Sequence, residues 1–404
     1  MPTVVLLGTL DTKGSEYAFV RDRLVGAGLT VVVVDAGVLG SPTMTADVNR
    51  AEVAAAASAD LADLREAGDR GAAVTAMAAG ATAVVRRLRA EGRCDGALAL
   101  GGTGGTSIAA AAFRELPLGV PKVIVSTAAS GDTSAYVRET DLVLMPSVVD
   151  VAGVNRLSAR ILANAAAAVA GMVLAEPVPT ANDKPLLAAS MFGVTTPAVD
   201  TARARLSDLG YEVLVFHMTG VGGRTLESLA STQLAGVLDL TTTELADELV
   251  GGVFSAGASR LTAAGRAGIP QVVSVGALDM VNFGPMDTVP EKFRDRNLFV
   301  HNPTVTLMRT TPQECTELGR RLATRLNGAT GPVALLLPLR GISAIAVAGG
   351  VFHDPVADAA LFDAIRETVD RSVVELVEVD AAINDEAFAN AAADRLHAYL
   401  TKES

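Results

Sequence analysis

Ala97-Leu98-Ala99-Leu100-Gly101-Gly102-Thr103-Gly104-Gly105-Thr106 is the stretch that decides the fold. An apolar run ends in a glycine turn, and a helix-forming run, Ser107 to Arg114, follows it. Strand, turn and helix in that order predict a buried parallel strand that feeds a covering helix. Glycines let a backbone approach an anion closely, and the free N–H groups at a helix start point toward it. Gly101, Gly102, Thr103, Gly104, Gly105 and Thr106 are therefore candidate phosphate-binding residues. The spacing is neither a Walker A loop nor the dinucleotide fingerprint. Read alone, the turn serves equally well to pack a helix on a sheet.

Composition agrees with this fold class. Half of the 404 residues are hydrophobic and 19% are charged, which gives a large core and no disordered class. Aromatics are only 4% and tryptophan is absent, as suits parallel strands covered by Ala-rich helices. The length predicts two domains. A net charge of -12 argues against a general binder of nucleic acid or of membrane surfaces. Cys94 and Cys315 fit no metal or redox spacing, so a reducing, cytoplasmic setting is expected. The start, Met1 to Gly8, lacks the basic region of a signal peptide, and the apolar run Ala165 to Leu174 is short for a membrane span.

An internal repeat organises the chain. Val4 to Gly8, Tyr17 to Ala27 and Leu29 to Asp35 recur as Leu186 to Gly193, Val199 to Leu209 and Tyr211 to His217. Arg21, Leu24, Gly28 and Val33 match Arg203, Leu206, Gly210 and Val215, each 182 residues on. Both units read strand, helix, glycine, strand. Gly96 to Leu100 is echoed by Gly236 to Leu240, and Pro121 to Ile124 by Pro270 to Val273. The expected architecture is two doubly wound, mostly parallel α/β subdomains, 1–176 and 186–404. A proline-marked linker, 177–185, joins them, preceded by one long helix from Val151 to Ala175. Ligands of such sheets sit outside the carboxyl ends of the strands, and two halves suggest a cleft between them.

Several loops fall at those ends. Thr9, Asp11, Thr12 and Lys13 follow the first strand. Only five of the 33 basic residues are lysines, so Lys13 stands out as a phosphate partner, with Asp11 as a candidate for magnesium or ribose. Thr12 or Ser15 serves as a helix cap in the competing reading. Ser126, Ser130, Gly131, Asp132 and Thr133 form a second small-residue loop suited to base, ribose or phosphate, and Asp132 is a second magnesium candidate. In the second half, Gly222, Gly223 and Arg224 resemble a phosphate or carboxylate site. Thr241 to Thr243 read as caps for a helix starting near Glu244. Met280 to Pro303 reads as a long, irregular, lid-like loop. His301 within it and Asp279 just before it are the candidate acid/base groups. No Gly-x-Ser-x-Gly elbow and no zinc spacing occurs.

Together these strings resemble one family: microbial proteins related to the N-terminal ATP-binding domain of the tomato protein that blocks tobamovirus replication. The resemblance runs through Gly8 to Gly14, Gly101 to Thr106, Ser126 to Thr133, Pro146 to Asn155 and Met191 to Pro197. It continues in Asp239 to Glu244, Ser274 to Gly284 and His301 to Pro303. It implies two Rossmann-like subdomains, ATP with magnesium, and a homodimer, without implying an agreed reaction. Ala198 stands where many members carry a cysteine, and Ala346 where an aspartate is expected. The expected function is ATP binding at the inter-subdomain cleft, with phosphoryl or adenylyl transfer to a small-molecule acid as the reaction class. The rivals are a non-catalytic ATP sensor or interaction module, and an enzyme that takes a sugar phosphate or acidic metabolite without ATP.

Overall fold

The computed structural model describes residues 1–176, 184–230 and 233–401. Residues 177–183 of the expected linker lie outside the described residues. The chain divides into two compact units, Met1–Pro179 and Thr180–Ser404.

Unit 1 runs β1 Thr3–Gly8, α1 Leu10–Gly26, β2 Thr30–Asp35, α2 Arg50–Ala56, α3 Leu61–Ala67, α4 Arg70–Ala90 and β3 Gly96–Gly101. It continues with α5 Thr103–Phe113, β4 Lys122–Ser126, α6 Ser134–Val137, β5 Val143–Pro146 and α7 Arg156–Leu174. The five strands pair in parallel in the order β2-β1-β3-β4-β5. Successive side chains of a strand point to opposite faces. Val4 and Leu6 accordingly pack with α1 and α7, on Tyr17, Leu24, Leu162 and Val169. Val5 and Leu7 pack on the other face with Met77, Val84 and Ile108 of α4 and α5. Burial on both faces is why these strands read as unbroken apolar runs. α7 is long and apolar enough, by length and composition, to cross a membrane, and its buried face is part of this core.

Unit 2 runs β6 Leu186–Met191, α8 Thr196–Asp208, β7 Glu212–His217, α9 Val221–Ala230, β8 Gly236–Thr241, α10 Glu244–Val250, α11 Ala263–Ala267 and β9 Gln271–Gly276. Then come β10 Met280–Phe283, β11 Leu298–Asn302, β12 Val305–Arg309, α12 Pro312–Leu326, β13 Val333–Pro338, α13 Pro355–Thr368, β14 Val374–Val379 and α14 Glu386–Thr401. Its main sheet is ordered β14-β13-β9-β8-β6-β7, parallel throughout. The order β7-β6-β8-β9 repeats β2-β1-β3-β4 of unit 1, so the repeat read from sequence is a repeat of topology. Gly28 and Gly210 sit at equivalent points after α1 and α8, with φ of +86° and +98°. Only glycine takes that conformation without strain, and it turns the chain into the next strand.

Two stretches differ from the sequence reading. The long helix starts at Arg156, not Val151, because the Asn155 side chain accepts from Leu157 and Ser158 N–H and fixes the start there. Met280 to Pro303 is not an irregular lid. It holds β10 and β11, which pair antiparallel with β12 in a three-stranded sheet. The prolines that suggested a loop, Pro285 and Pro290, fall in the connection, where two 3-10 turns keep Phe293 against Phe283 with ring centroids 5.5 Å apart.

Candidate functional site

The chain from β1 leaves the sheet toward one neighbour and the chain from β3 toward the other, so β1 and β3 flank the switch in strand order. Tyr17 clips their carboxyl ends together. Its hydroxyl lies 2.7 Å from the Leu7 and Leu100 carbonyls and accepts from Leu100 N–H, also at 2.7 Å. Just beyond this clip lies a cavity of about 710 Å³, lined by unit 1 residues alone.

The N-terminus of α5 forms one end of it. Gly102 occupies the cap position and offers no side-chain acceptor to the first N–H groups of the helix. Four longer helices are closed at this point, α4 by Asp69, α7 by Asn155, α12 by Thr311 and α13 by Asp354, whereas α1 and α8, like α5, carry no side-chain cap. At α5 the first-turn residues Thr103, Gly104 and Gly105, whose N–H groups have no partner within the helix, line the cavity. A Cβ built on Gly104 would stand 3.7 Å from Val74 Cγ2 and 3.8 Å from Arg70 Nη2, so the space above the turn is open and bounded by a guanidinium. Thr103, Thr9, Thr12, Lys13 and Thr127 complete this polar end. Val38, Leu64, Val74, Met77 and Ile108 give the same cavity an aliphatic wall.

Thr9, Asp11, Thr12, Lys13 and Gly102 to Gly105 thus line one cavity, and Gly101 and Thr106 do not. Lys13 has non-helical φ and ψ of -135° and 20°, and its Nζ donates to the Val151 carbonyl. Neither Thr12 nor Ser15 caps α1, which kinks at Lys13: the Thr12 hydroxyl donates to the Thr9 carbonyl at 3.3 Å and that of Ser15 to Glu16 at 2.6 Å. Asp11 is turned toward the loop after β2: Oδ2 accepts from Leu39 and Gly40 N–H at 2.9 and 3.2 Å, and Oδ1 is buried without a hydrogen bond. Asp35, at the end of β2, is buried and accepts from Leu10 and Gly37 N–H; burial raises its pKa above the ordinary aspartate value. It is committed to the backbone and does not line the cavity.

Other candidates sit elsewhere. Thr106 and Ser126 share a buried hydroxyl pair at 2.6 Å that ties α5 to β4. Ser130, Gly131, Asp132 and Thr133 are not among the lining residues, and Asp132 accepts from Ser134 N–H at 2.9 Å. No group of three His, Cys, Asp or Glu side chains able to hold a metal occurs among the described residues. Of the two carboxylates expected for magnesium, Asp11 lines the cavity and Asp132 does not.

In unit 2 the glycine turn carries its own anion. Glu244 Oε1 accepts from Gly220 N–H at 2.7 Å and Gly223 N–H at 3.1 Å, at the start of α9. Its other oxygen meets Arg260, which also holds Asp239. Of the expected residues Gly223 thus meets a carboxylate of the chain itself, while Gly222 packs on the His217 backbone and Arg224 donates to the Ser255 carbonyl. Thr241 to Thr243 make no side-chain cap at α10. Their hydroxyls face Thr195, the Ser274 carbonyl and Asn282. His301 is exposed on β11. Asp279 is fully buried, accepts from Ser343 Oγ at 2.8 Å, and burial pushes its pKa up to about 6 against the pull of Arg309. Neither lines the unit 1 cavity. Ala198 and Ala346 are buried, with N–H groups bonded to Asn384 Oδ1 and Ser343 Oγ.

The sequence reading missed Arg65, Arg70 and the aliphatic wall from α3 and α4. The available signal was the pair of caps, Asp60 and Asp69, nine residues apart around Gly68.

Comparison with known proteins follows the same division into two parts. A "UPF0261 protein" of Clostridium tetani is 50% identical over 97% of this chain and 98% of its own length. The ToMV resistance protein Tm-1(GCR237) of Solanum lycopersicum is 40% identical over 97% of this chain, which spans 55% of that longer protein. Among solved structures, a UDP-N-acetylglucosamine 2-epimerase from Rickettsia bellii matches 67% of this chain and 78% of its own, at 10% identity and a TM-score of 0.24, which decides nothing about this site. The N-terminal domain model of the uncharacterised protein family UPF0261 matches residues 2–177 and its C-terminal domain model residues 184–400, and the chain belongs to that family.

Proposed function

We propose that unit 1 binds ATP, with the phosphates at the start of α5 and the adenine against Val38, Val74, Met77 and Ile108. The observation that carries this reading is the uncapped start of α5, opening on the cavity beneath Arg70. Backbone donors, the helix dipole and a guanidinium all favour an anion there. The aliphatic wall suits the flat, apolar face of a base. The lining residues of this cavity all belong to unit 1. Magnesium, in this reading, travels with the phosphates. The two buried thiols, Cys94 and Cys315, suit a reducing cytoplasm.

The lining favours binding over chemistry. Asp11 is held by two backbone N–H groups, and Asp69 accepts from Gly71 and Ala72 N–H. Both carboxylates serve the backbone, Asp11 through Oδ2, and no histidine is among the lining residues, which favours the sensor reading among those the sequence left open. Calorimetric titration with ATP, ADP and adenosine, with and without magnesium, tests the binding. Phosphate release on the same sample, with and without carboxylic-acid acceptors, tests for turnover. Saturable ATP binding supports the reading, and its absence at millimolar ATP removes it.

Lys13→Ala is expected to weaken ATP binding about tenfold, the scale of one charge-assisted hydrogen bond, and to leave adenosine binding unchanged. Equal losses for both ligands would place Lys13 away from the phosphates.

A further inference from the structure

α3 is unlike the other walls of the cavity. None of its residues is buried, and Leu61 and Leu64 are its only partly buried apolar side chains. It is bracketed by two left-handed residues, Ser58 at φ +56° and Gly68 at φ +64°. Among the described residues, its one hydrogen bond to the rest of unit 1 beyond its own caps is Arg65 Nε to the Val38 carbonyl, 2.5 Å, at the cavity wall. Segments with few buried contacts open locally at low free-energy cost. By contrast, α4 buries Met77, Ala81, Val84, Val85 and Leu88, so Arg70 at its first turn is on a fixed element.

We propose that α3 is a lid over the unit 1 cavity, hinged at Ser58 and Gly68, and that a polyphosphate ligand holds it shut through Arg65. Arg65 latches the lid through a guanidinium on a neutral carbonyl. A phosphate oxygen is the stronger acceptor for the same group, and Arg70 fixes the phosphate chain from the opposite side of the hinge. Closing in this way shields the ligand from water, as lids generally do. The inference depends on the ATP reading only for the identity of the ligand.

Amide hydrogen exchange on the full chain tests it, with ATP and inorganic tripolyphosphate as separate probes and calorimetry on the same samples. In the free protein, amides of Leu61 to Ala67 should exchange at least about tenfold faster than those of Met77 to Leu88. Saturating ATP or tripolyphosphate should slow α3 about tenfold and leave α4 unchanged. Arg65→Ala should still bind, yet leave α3 fast, and Arg65→Lys should restore part of the protection. The lid is overturned if α3 is as slow as α4 in the free protein. It is also overturned if neither probe protects it, or if Arg65→Ala is protected like wild type. Protection by tripolyphosphate without ATP binding keeps the lid and removes the ATP reading. ATP binding without protection of α3 keeps that reading and removes the lid.

Discussion

Arg260→Leu should destabilise unit 2 by about 3–5 kcal/mol, the usual result of removing one partner from a buried ion pair. Arg260 is fully buried. Its Nη1 and Nη2 meet the Asp239 carboxylate at 2.5 and 2.7 Å, its Nε meets Glu244 at 2.7 Å, and Nη1 reaches Glu227 at 3.2 Å. Glu227 in turn accepts from Leu261, Thr262 and Ala263 N–H, so the network also organises the entry to α11. Leucine fills part of the volume but leaves Asp239 and Glu244 charged in a low-dielectric site. Burial already raises the Glu244 pKa above its ordinary 4.5, with Arg260 pulling it back down. Without the guanidinium that carboxyl rises further. A raised acid favours the folded state while protonated, so the variant loses stability as pH climbs from the unfolded value through the folded one. The deficit relative to wild type should therefore be larger at pH 8 than at pH 5. Thermal or urea unfolding at the two pH values checks both parts. An unchanged midpoint would mean that the network adds nothing net.

Gly104→Val is the second large effect. The Cβ itself fits, since its nearest neighbours would be 3.7 and 3.8 Å away, so the fold should survive. The valine methyls would cover the first-turn N–H groups of α5. Two charge-assisted hydrogen bonds lost at roughly 1.5–3 kcal/mol each predict a drop in ATP affinity of about 100-fold or more. Gly104→Ala should fall between wild type and valine. Calorimetry, with a melting curve to verify folding, reads the result. A folded Gly104→Val protein that binds ATP like wild type would move the phosphate seat off α5.

The sheets were readable in the sequence because buried parallel strands leave apolar runs such as Val4 to Leu7 and Leu335 to Leu337, and the turns between them leave glycines. The repeat was readable because the same backbone turn demands glycine at both Gly28 and Gly210. The small antiparallel sheet was not, since its strands are short and Pro285 and Pro290 mask the pairing of Met280–Phe283 with Val305–Arg309.

Of the site, the glycine turn and the Thr9 to Lys13 loop carried composition signals. Arg65 and Arg70 were marked only indirectly, by the neighbouring caps Asp60 and Asp69, because a charged residue beside a helix cap looks the same whether it faces solvent or a cavity. The reverse error arose at Gly222 and Gly223. Their pattern signals an anion correctly, but the anion is Glu244, a residue 21 positions beyond Gly223 that only the fold brings back.

The structure of the protein with a non-hydrolysable ATP analogue tests the central claim most directly. The account predicts phosphate oxygens within hydrogen-bonding distance of the Gly104 and Gly105 N–H groups, Arg70 beside them, and the adenine between Val38 and Ile108. A nucleotide bound with its phosphates away from α5, or seated on unit 2, would contradict it.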